Sequence, residues 1–190
     1  MRPRIAPCGI PAVEVATAEE VHLLCYFSTL EDLDGFFAQV LPYYPDISNE
    51  NDLLGKQRIV DENDREVGIC TRLLCAANTL TIDEVTALVR QYHGAPVPAH
   101  IDWDSNCLLT NLGRAGLSMD FGCYEFSSKA PTLDLLTQYP ELRTKRHIRN
   151  SMARHLEEIS PALCYIDLNK PPHQIENADF IRYLEGKDET

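Results

Sequence analysis

The 190-residue chain lacks several features that mark common classes of protein. No apolar run approaches the ~20 residues that a membrane-spanning helix needs. Acidic residues outnumber basic ones by 29 to 17, and the net charge of −12 argues against nucleic-acid binding through a basic face. The chain has no glycine-rich phosphate loop and no Gly-x-Ser-x-Gly elbow. Metal-assisted phosphate chemistry stays open, because a bound cation can supply the positive charge that side chains do not.

The seven cysteines contain no Cys-x-x-Cys pair, which argues against a zinc ribbon or a disulfide framework. Most of them stand beside apolar residues, so we interpret them as buried, reduced thiols. Arg2 and Arg4 are not followed by a long apolar stretch, and the N-terminus therefore does not resemble a secretory signal. We expect a cytoplasmic protein.

Helix and strand patterns alternate along most of the chain. The clearest helix is predicted over residues 82–92, where Thr81 and Glu84 have the spacing of a capping box and Gly94 follows as a left-handed turn. A second helix is predicted after a capping box at residues 28–31, and shorter ones over 107–112, 133–139 and 154–159. Strands are predicted over residues 10–15, 21–27, 95–100, 121–126 and 146–149. This alternation is typical of an α/β fold with a mainly parallel sheet.

Two segments depart from the alternation. Residues 45–70 are rich in Asp, Glu and Asn, and we interpret them as an insertion or long loop. Residues 170–190 begin with Lys170-Pro171-Pro172 and continue with polar residues, which predicts a C-terminal surface tail. The main domain is therefore expected to span residues 1–169.

Three side chains that can bind a metal stand at or near the ends of predicted strands: Glu14, His22 and His100. In an α/β barrel the carboxyl ends of parallel strands converge on one face, where functional side chains gather. One Glu and two His form a common mixed ligand set for Zn²⁺, Mn²⁺ or Fe²⁺. Structural interpretations also exist, with Glu14 as an edge-strand residue facing solvent and His22 as a hydrogen-bonded histidine.

These residues lie in segments that resemble the PHP (polymerase and histidinol phosphatase) superfamily. Residues 14–27 (EVATAEEVHLLCYF) are similar to its middle motifs, in which a Glu closes one strand and a Val-His stretch follows. Residues 98–102 (PAHID) resemble the next motif, Pro-Ala-His, and residues 150–159 (NSMARHLEEI) resemble the last one. The motifs occur in the order of the family and cover about residues 9–159.

The resemblance implies a metal-dependent phosphoesterase fold, a distorted seven-stranded (β/α) barrel. Glu14, His22 and His100 match metal ligands of the family. The thirteen residues before Glu14 contain no histidine, so the chain is expected to form an incomplete barrel that lacks the first two βα units. Such a barrel has open sheet edges, and we therefore expect a homo-oligomer or a marginally stable chain.

The last motif differs from that of the family. Met152 stands where the family has an Asp, and Arg154 stands where it has a His. A thioether is a poor ligand for these cations and a guanidinium repels them. Arg154 is instead a candidate phosphate-binding group, since guanidinium pairs well with phosphate oxygens. Asp102, close behind His100, is a candidate supporting group for the ligands.

Two functions of different classes follow from the sequence. The first is a metal-dependent phosphoesterase that hydrolyses a phosphorylated small metabolite, a nucleotide or an oligonucleotide end with a metal-activated water. The second is a non-catalytic PHP-like domain that binds a metal, a phosphorylated ligand or a protein partner. The loss of ligands at both ends of the motif order favours the second, and the family resemblance favours the first.

Overall fold

A computed structural model describes residues 9–49, 55–153, 155–159 and 164–187. The strands within these residues are β1 (Ala12–Ala16), β2 (His22–Tyr26), β3 (Arg58–Val60), β4 (Glu66–Ile69), β5 (Ala95–Pro98), β6 (Cys123–Ser127) and β7 (Arg146–Asn150). The α-helices are α1 (Leu30–Val40), α2 (Ile82–Gln91), α3 (Leu108–Leu112), α4 (Thr132–Gln138) and α5 (Asn177–Leu184). None of these described helices has the length and apolar character that crossing a bilayer requires.

Helix α2 begins at the capping box that the sequence predicts. Thr81 Oγ1 accepts a hydrogen bond from Glu84 N at 3.3 Å, and a Glu84 carboxylate oxygen accepts from Thr81 N at 2.8 Å. Ile82, Val85 and Val89 are buried on one side of the helix, as their three- and four-residue spacing predicts. The amphipathic pattern and the cap therefore fix this helix locally.

The turn after α2 differs in detail from the expectation. The left-handed backbone falls on His93, with φ of 58°, one residue before Gly94. Gly94 is needed for a different reason, because a Cβ there would approach the Tyr26 carbonyl oxygen to 2.7 Å and the Phe27 ring to 2.6 Å. The glycine thus allows the chain to pass close against the end of β2.

β1, β2 and β5 form a three-stranded sheet with β2 in the centre, and both pairings are antiparallel. In the first pair Glu14 lies opposite Leu24 and Ala16 opposite His22. Only residues 17–21 connect β1 to β2, and a parallel crossover needs a dozen residues or more. The expectation of a mainly parallel sheet is therefore wrong. Among the described strands, parallel pairing occurs between β6 and β7.

The two faces of β2 belong to different apolar clusters. Leu23 and Cys25 face the larger core, together with α1 and α2. Leu24 and Tyr26 face the other way, onto a smaller cluster. Because side chains alternate along a strand, His22 shares the face of Leu24, and Glu14, opposite Leu24, lies on that face as well.

Helix α5 covers part of this second face. Ile181 and Leu184 pack with buried side chains of β5, β6 and β7, and Phe180 meets the Tyr26 ring edge-on at 5.8 Å between centroids. The helix therefore contributes buried side chains to the fold, and the division of the chain at residue 169 stays a prediction.

Residues 45–70 carry a β-hairpin in their described part. β3 and β4 pair antiparallel, with Arg58 opposite Ile69 and Ile59 opposite Gly68. Ile59, Val67 and Ile69 are each about half exposed or more, so the hairpin adds little to either core. Residues 50–54 of the segment lie outside the described residues.

The described strands form separate sheets of three, two and two strands and no closed barrel. The predicted incomplete (β/α)₇ PHP-type barrel is therefore wrong for these residues. In a (β/α) barrel all neighbouring strands are parallel. In the first sheet of this chain both neighbouring pairs, β1 with β2 and β2 with β5, are antiparallel. The chain is a mixed α/β fold with small sheets.

Candidate metal centre

Three side chains converge at the end of the three-stranded sheet where β2 begins and β5 ends: Glu14, His22 and His100. Glu14 is the middle residue of β1, His22 begins β2, and His100 follows the end of β5. Antiparallel pairing places the start of β2 beside the end of β5, where Leu23 lies opposite Pro98. Ligand atoms of the three side chains lie within 4.8 Å of one another.

The three side chains differ in how much of their surface is exposed to solvent. The Glu14 side chain is 40 % exposed and that of His22 is 23 % exposed, whereas His100 has no exposed surface. Glu14 Oε1 lies 3.1 Å from His22 Nδ1, and the two imidazole rings meet edge-on with centroids 5.3 Å apart. The site therefore opens to solvent on the carboxylate side and is closed on the His100 side.

The ring nitrogens are the strongest indication of a bound cation. Among the described residues, no hydrogen bond of standard geometry reaches Nδ1 or Nε2 of His100, or Nδ1 of His22. The Asn106 carbonyl, close to His100, accepts from the backbone N–H of His22 at 3.0 Å. A buried imidazole without partners costs free energy, and a metal ion satisfies it by taking a nitrogen lone pair. The residues present therefore fit a divalent cation.

The protonation of His100 suits the same role. Burial lowers the pKa of His100, and the charge of Glu14 opposes this shift only in part. The imidazole is therefore neutral at physiological pH, and neutral imidazole is the form that binds metals. A carboxylate beside the neutral imidazole of His100 favours a divalent cation.

Glu125 holds the backbone of His100 and was missed by the sequence analysis. Its side chain is 2 % exposed, and Oε2 accepts a hydrogen bond from His100 N at 2.9 Å. Oε1 accepts from Asn150 Nδ2 at 2.5 Å. His100 has φ of 29°, a strained value for a residue with a Cβ, so the carboxylate fixes a conformation that the chain disfavours. A charged residue inside the apolar strand Cys123–Ser127 was the available signal.

Burial raises the pKa of Glu125, while the hydrogen bonds from His100 N and Asn150 act in the opposite direction. Glu125 Oε2 also lies 3.8 Å from His100 Nδ1. The carboxyl group is therefore placed behind the imidazole, where it orients the ring by fixing the backbone that carries it.

Asp102 is placed near the centre but is bonded elsewhere. Its two carboxylate oxygens accept hydrogen bonds from Ser127 N at 2.7 Å and from Ser127 Oγ at 2.5 Å. Asp102 therefore ties the loop after β5 to the end of β6. It supports the loop that carries His100, and its role toward a metal stays a prediction.

The altered last motif is described only in part. Met152 follows β7 and adopts φ of 49°. Arg154, the candidate phosphate-binding residue, lies outside the described residues. His155 is exposed and donates its backbone N–H to Glu158 Oε2 at 3.2 Å.

A mixed α/β fold that gathers one carboxylate and two imidazoles around a common point defines a candidate divalent-metal protein. No protein-family model and no curated protein sequence matches the chain. A solved structure is similar to it: the lesion-specific endonuclease PfuEndoQ from Pyrococcus furiosus, with a TM-score of 0.51 and 19 % identity.

The match covers 75 % of this chain and 30 % of the endonuclease, so the chain spans less than a third of that protein. At this identity the likeness is one of fold.

Proposed function

We propose that the chain is a PHP-like domain that binds one divalent cation through Glu14, His22 and His100 and acts on a phosphate ester. The observation that carries this proposal is the fully buried imidazole of His100, whose ring nitrogens make no hydrogen bond of standard geometry within the described residues and which lies beside a carboxylate and a second imidazole. Zn²⁺, Mn²⁺ and Fe²⁺ all accept this ligand set.

The number of ligands agrees with a catalytic site. Three protein ligands leave coordination positions for water and substrate, as in mononuclear catalytic zinc centres. A cation there would lower the pKa of a bound water and neutralise charge on a phosphoryl oxygen. Glu14, on the exposed side, leaves an entrance for the ester, and His100, on the buried side, anchors the site.

The similarity to a lesion-specific endonuclease favours a nucleotide-containing ester over other phosphorylated small molecules. The net charge of −12 is compatible with this substrate, because the cation supplies the attraction that a basic surface would otherwise provide.

A second function is favoured by one observation, the ligand set itself. Three ligands hold one cation, and Met152, in the place of the family's Asp, adds no ligand for a second. A domain of this kind can bind a metal and a phosphorylated ligand without hydrolysing it.

Metal analysis combined with a hydrolysis assay tests the proposal. Protein purified without added metal, and after loading with Zn²⁺ or Mn²⁺, is analysed for bound metal by mass spectrometry. We expect about one ion per chain in the parent protein and none in His22→Ala or Glu14→Gln. His173→Ala, an exposed histidine outside the centre, is the matched control and keeps its metal.

The same samples are assayed with bis-p-nitrophenyl phosphate and a short oligonucleotide. Turnover that requires the metal and disappears in His22→Ala supports the phosphoesterase. Bound metal without turnover supports the binding domain, and absence of metal from the loaded parent protein would overturn both.

The remaining expectations belong to this proposal. The cysteines in the described residues are free thiols, which suits the reducing cytoplasm. The exposed apolar hairpin of β3 and β4 suits a homo-oligomer.

A further inference from the structure

We infer that the cavity beside the metal centre is a nucleobase subsite, with Trp103 as its stacking surface. The inference rests on the proposed function, which it extends by naming the part of the substrate that the cavity takes. The cavity has a volume of about 480 Å³, within the usual range for small-molecule sites.

Trp103 joins the cavity to the metal centre. Its ring lies 4.2 Å from the His100 ring between centroids, and the two planes are inclined by 35°. A second connection is the pair of hydrogen bonds from Ser127, which lines the cavity, to Asp102 in the loop that follows His100. A ligand in the cavity is therefore adjacent to a phosphoryl group at the metal centre.

The Trp103 ring is exposed although its backbone is fixed. The residue is 38 % exposed and is the only tryptophan in the chain. The backbone N–H of Trp103 donates to the His100 carbonyl at 2.9 Å, and the backbone carbonyl of Trp103 accepts from Thr110 Oγ1 at 2.8 Å. The Trp103 ring is also held against the His100 ring, and an exposed indole restrained in this way loses little entropy when a base stacks on it. Every nucleobase offers a π-face.

The rest of the cavity provides polar groups suited to a nucleotide. Its lining includes serine hydroxyls from the ends of β6 and β7, one lysine and one glutamate: Ser127, Ser128, Ser151, Lys129 and Glu158. Lys129 is exposed, and within the described residues its ammonium group makes no hydrogen bond or ion pair. Glu158 accepts from His155 N at 3.2 Å. The hydroxyls can pair with base edges or the sugar, and Lys129 can attract the phosphate.

The ligand that this subsite would take is thus an aromatic base joined through a sugar to a phosphate. A free nucleotide and a nucleotide at the end of a single strand both present it. The experiment has an arm for each source.

Isothermal titration calorimetry of the metal-loaded protein tests the inference. The probes are adenosine 5′-monophosphate and ribose 5-phosphate, which share the phosphate and differ in the base. Stacking on an aromatic side chain is worth enough that we expect the nucleotide to bind about tenfold tighter or more. Trp103→Ala should remove this preference, and Trp103→Phe should keep most of it.

Two control variants separate the base from the phosphate and from general effects. Lys129→Gln should weaken both probes by the same factor and leave their ratio unchanged. Tyr43→Ala, which alters an exposed aromatic residue in the short turn after α1, should change neither affinity. Equal affinity of the parent protein for the two probes, or a ratio that survives Trp103→Ala, would overturn the inference.

The metal content of each sample keeps this result distinct from the proposed function. A metal-loaded protein without base preference overturns the subsite alone. A protein that binds no metal but still prefers the nucleotide through Trp103 overturns the metal proposal and supports the subsite. Competition by single-stranded pentaadenylate then distinguishes the sources: tighter binding than the mononucleotide indicates a strand, and weaker binding indicates a free nucleotide.

Discussion

Two groups of ionisable side chains, each with one buried member, differ in how the polar atoms of that member are satisfied. The salt cluster consists of Lys170, Asp179 and Arg182, and the metal cluster consists of Glu14, His22 and His100. Asp179 is 6 % exposed and accepts hydrogen bonds from Lys170 Nζ at 2.7 Å, from Arg182, and from Glu176 N at 2.9 Å.

His100 is buried more deeply, yet neither of its ring nitrogens makes a hydrogen bond of standard geometry within the described residues. Folding alone explains the salt cluster, because each charge there meets its opposite and α5 gains a cap. It does not explain the metal cluster. The difference is that the fold itself satisfies the polar atoms of Asp179, whereas the ring nitrogens of His100 stay available to a ligand.

The largest expected difference between the clusters is the response to metal. A ligand that binds only the folded state at about 100 times its Kd stabilises it by about 2.7 kcal/mol. Zn²⁺ should therefore raise the unfolding free energy of the parent protein by that amount and leave His22→Ala unchanged. Denaturant titrations with and without metal measure this, and Asp179→Asn, which alters only the salt cluster, should keep the full effect.

Glu125 provides the next test, because it acts on the metal cluster through the backbone of His100. Removing a group that orients a metal ligand typically lowers metal affinity about tenfold to a hundredfold. We expect this loss in Glu125→Ala, whereas Glu125→Gln keeps an oxygen to accept from His100 N and should retain most of the affinity. Competition with a metal indicator dye measures it; equal losses in the two variants would show that Glu125 binds the metal itself.

A smaller effect is expected when the salt cluster is disrupted. Asp179→Ala removes a helix cap and two hydrogen bonds to charged groups, and we expect a loss of about 1–2 kcal/mol of unfolding free energy. The value is modest because Lys170 and Arg182 are a third or more exposed and solvent screens their charges. Metal affinity should not change. A parallel fall in metal affinity would mean that the two clusters are coupled.

The smallest expected effect is the pH dependence of the salt cluster. The hydrogen bond from Glu176 N, followed by that from Lys170, holds the pKa of Asp179 below its ordinary value. A lowered pKa means that the carboxylate stabilises the folded state above the unfolded-state pKa of about 4. This stabilisation is lost as the pH falls through the lower folded value. The stability difference between the parent protein and Asp179→Asn should therefore be constant near neutral pH and shrink in acid, as measured by urea unfolding.

The sequence predicts local structure better than strand direction. Helix α2 was predictable because Thr81, Glu84 and the apolar spacing act within a few residues of one another. The antiparallel pairing of β1 with β2 was signalled by the short connection at residues 17–21, a signal that the alternation of helices and strands along the chain outweighed. The pairing of β2 with β5 joins residues far apart in the chain, and no local pattern specifies it.

The proximity of Glu14, His22 and His100 was expected, but the strand arrangement from which it was expected is wrong. Convergence was predicted from the carboxyl ends of parallel strands, but His22 lies at the start of β2 and Glu14 in the middle of β1. Antiparallel pairing brings them to the end of β5 instead. Glu125 could not be assigned from the sequence, because one Glu in an apolar strand is compatible with a solvent-facing position and only the folded contacts bury it.

The metal centre is tested most directly by a crystal structure of Zn²⁺-loaded protein with anomalous diffraction data collected at the zinc edge. We predict one strong anomalous peak within bonding distance, about 2.0–2.2 Å, of a Glu14 oxygen and of one nitrogen each of His22 and His100. An imidazole of His100 that remains free of metal while zinc binds elsewhere, or not at all, would contradict it.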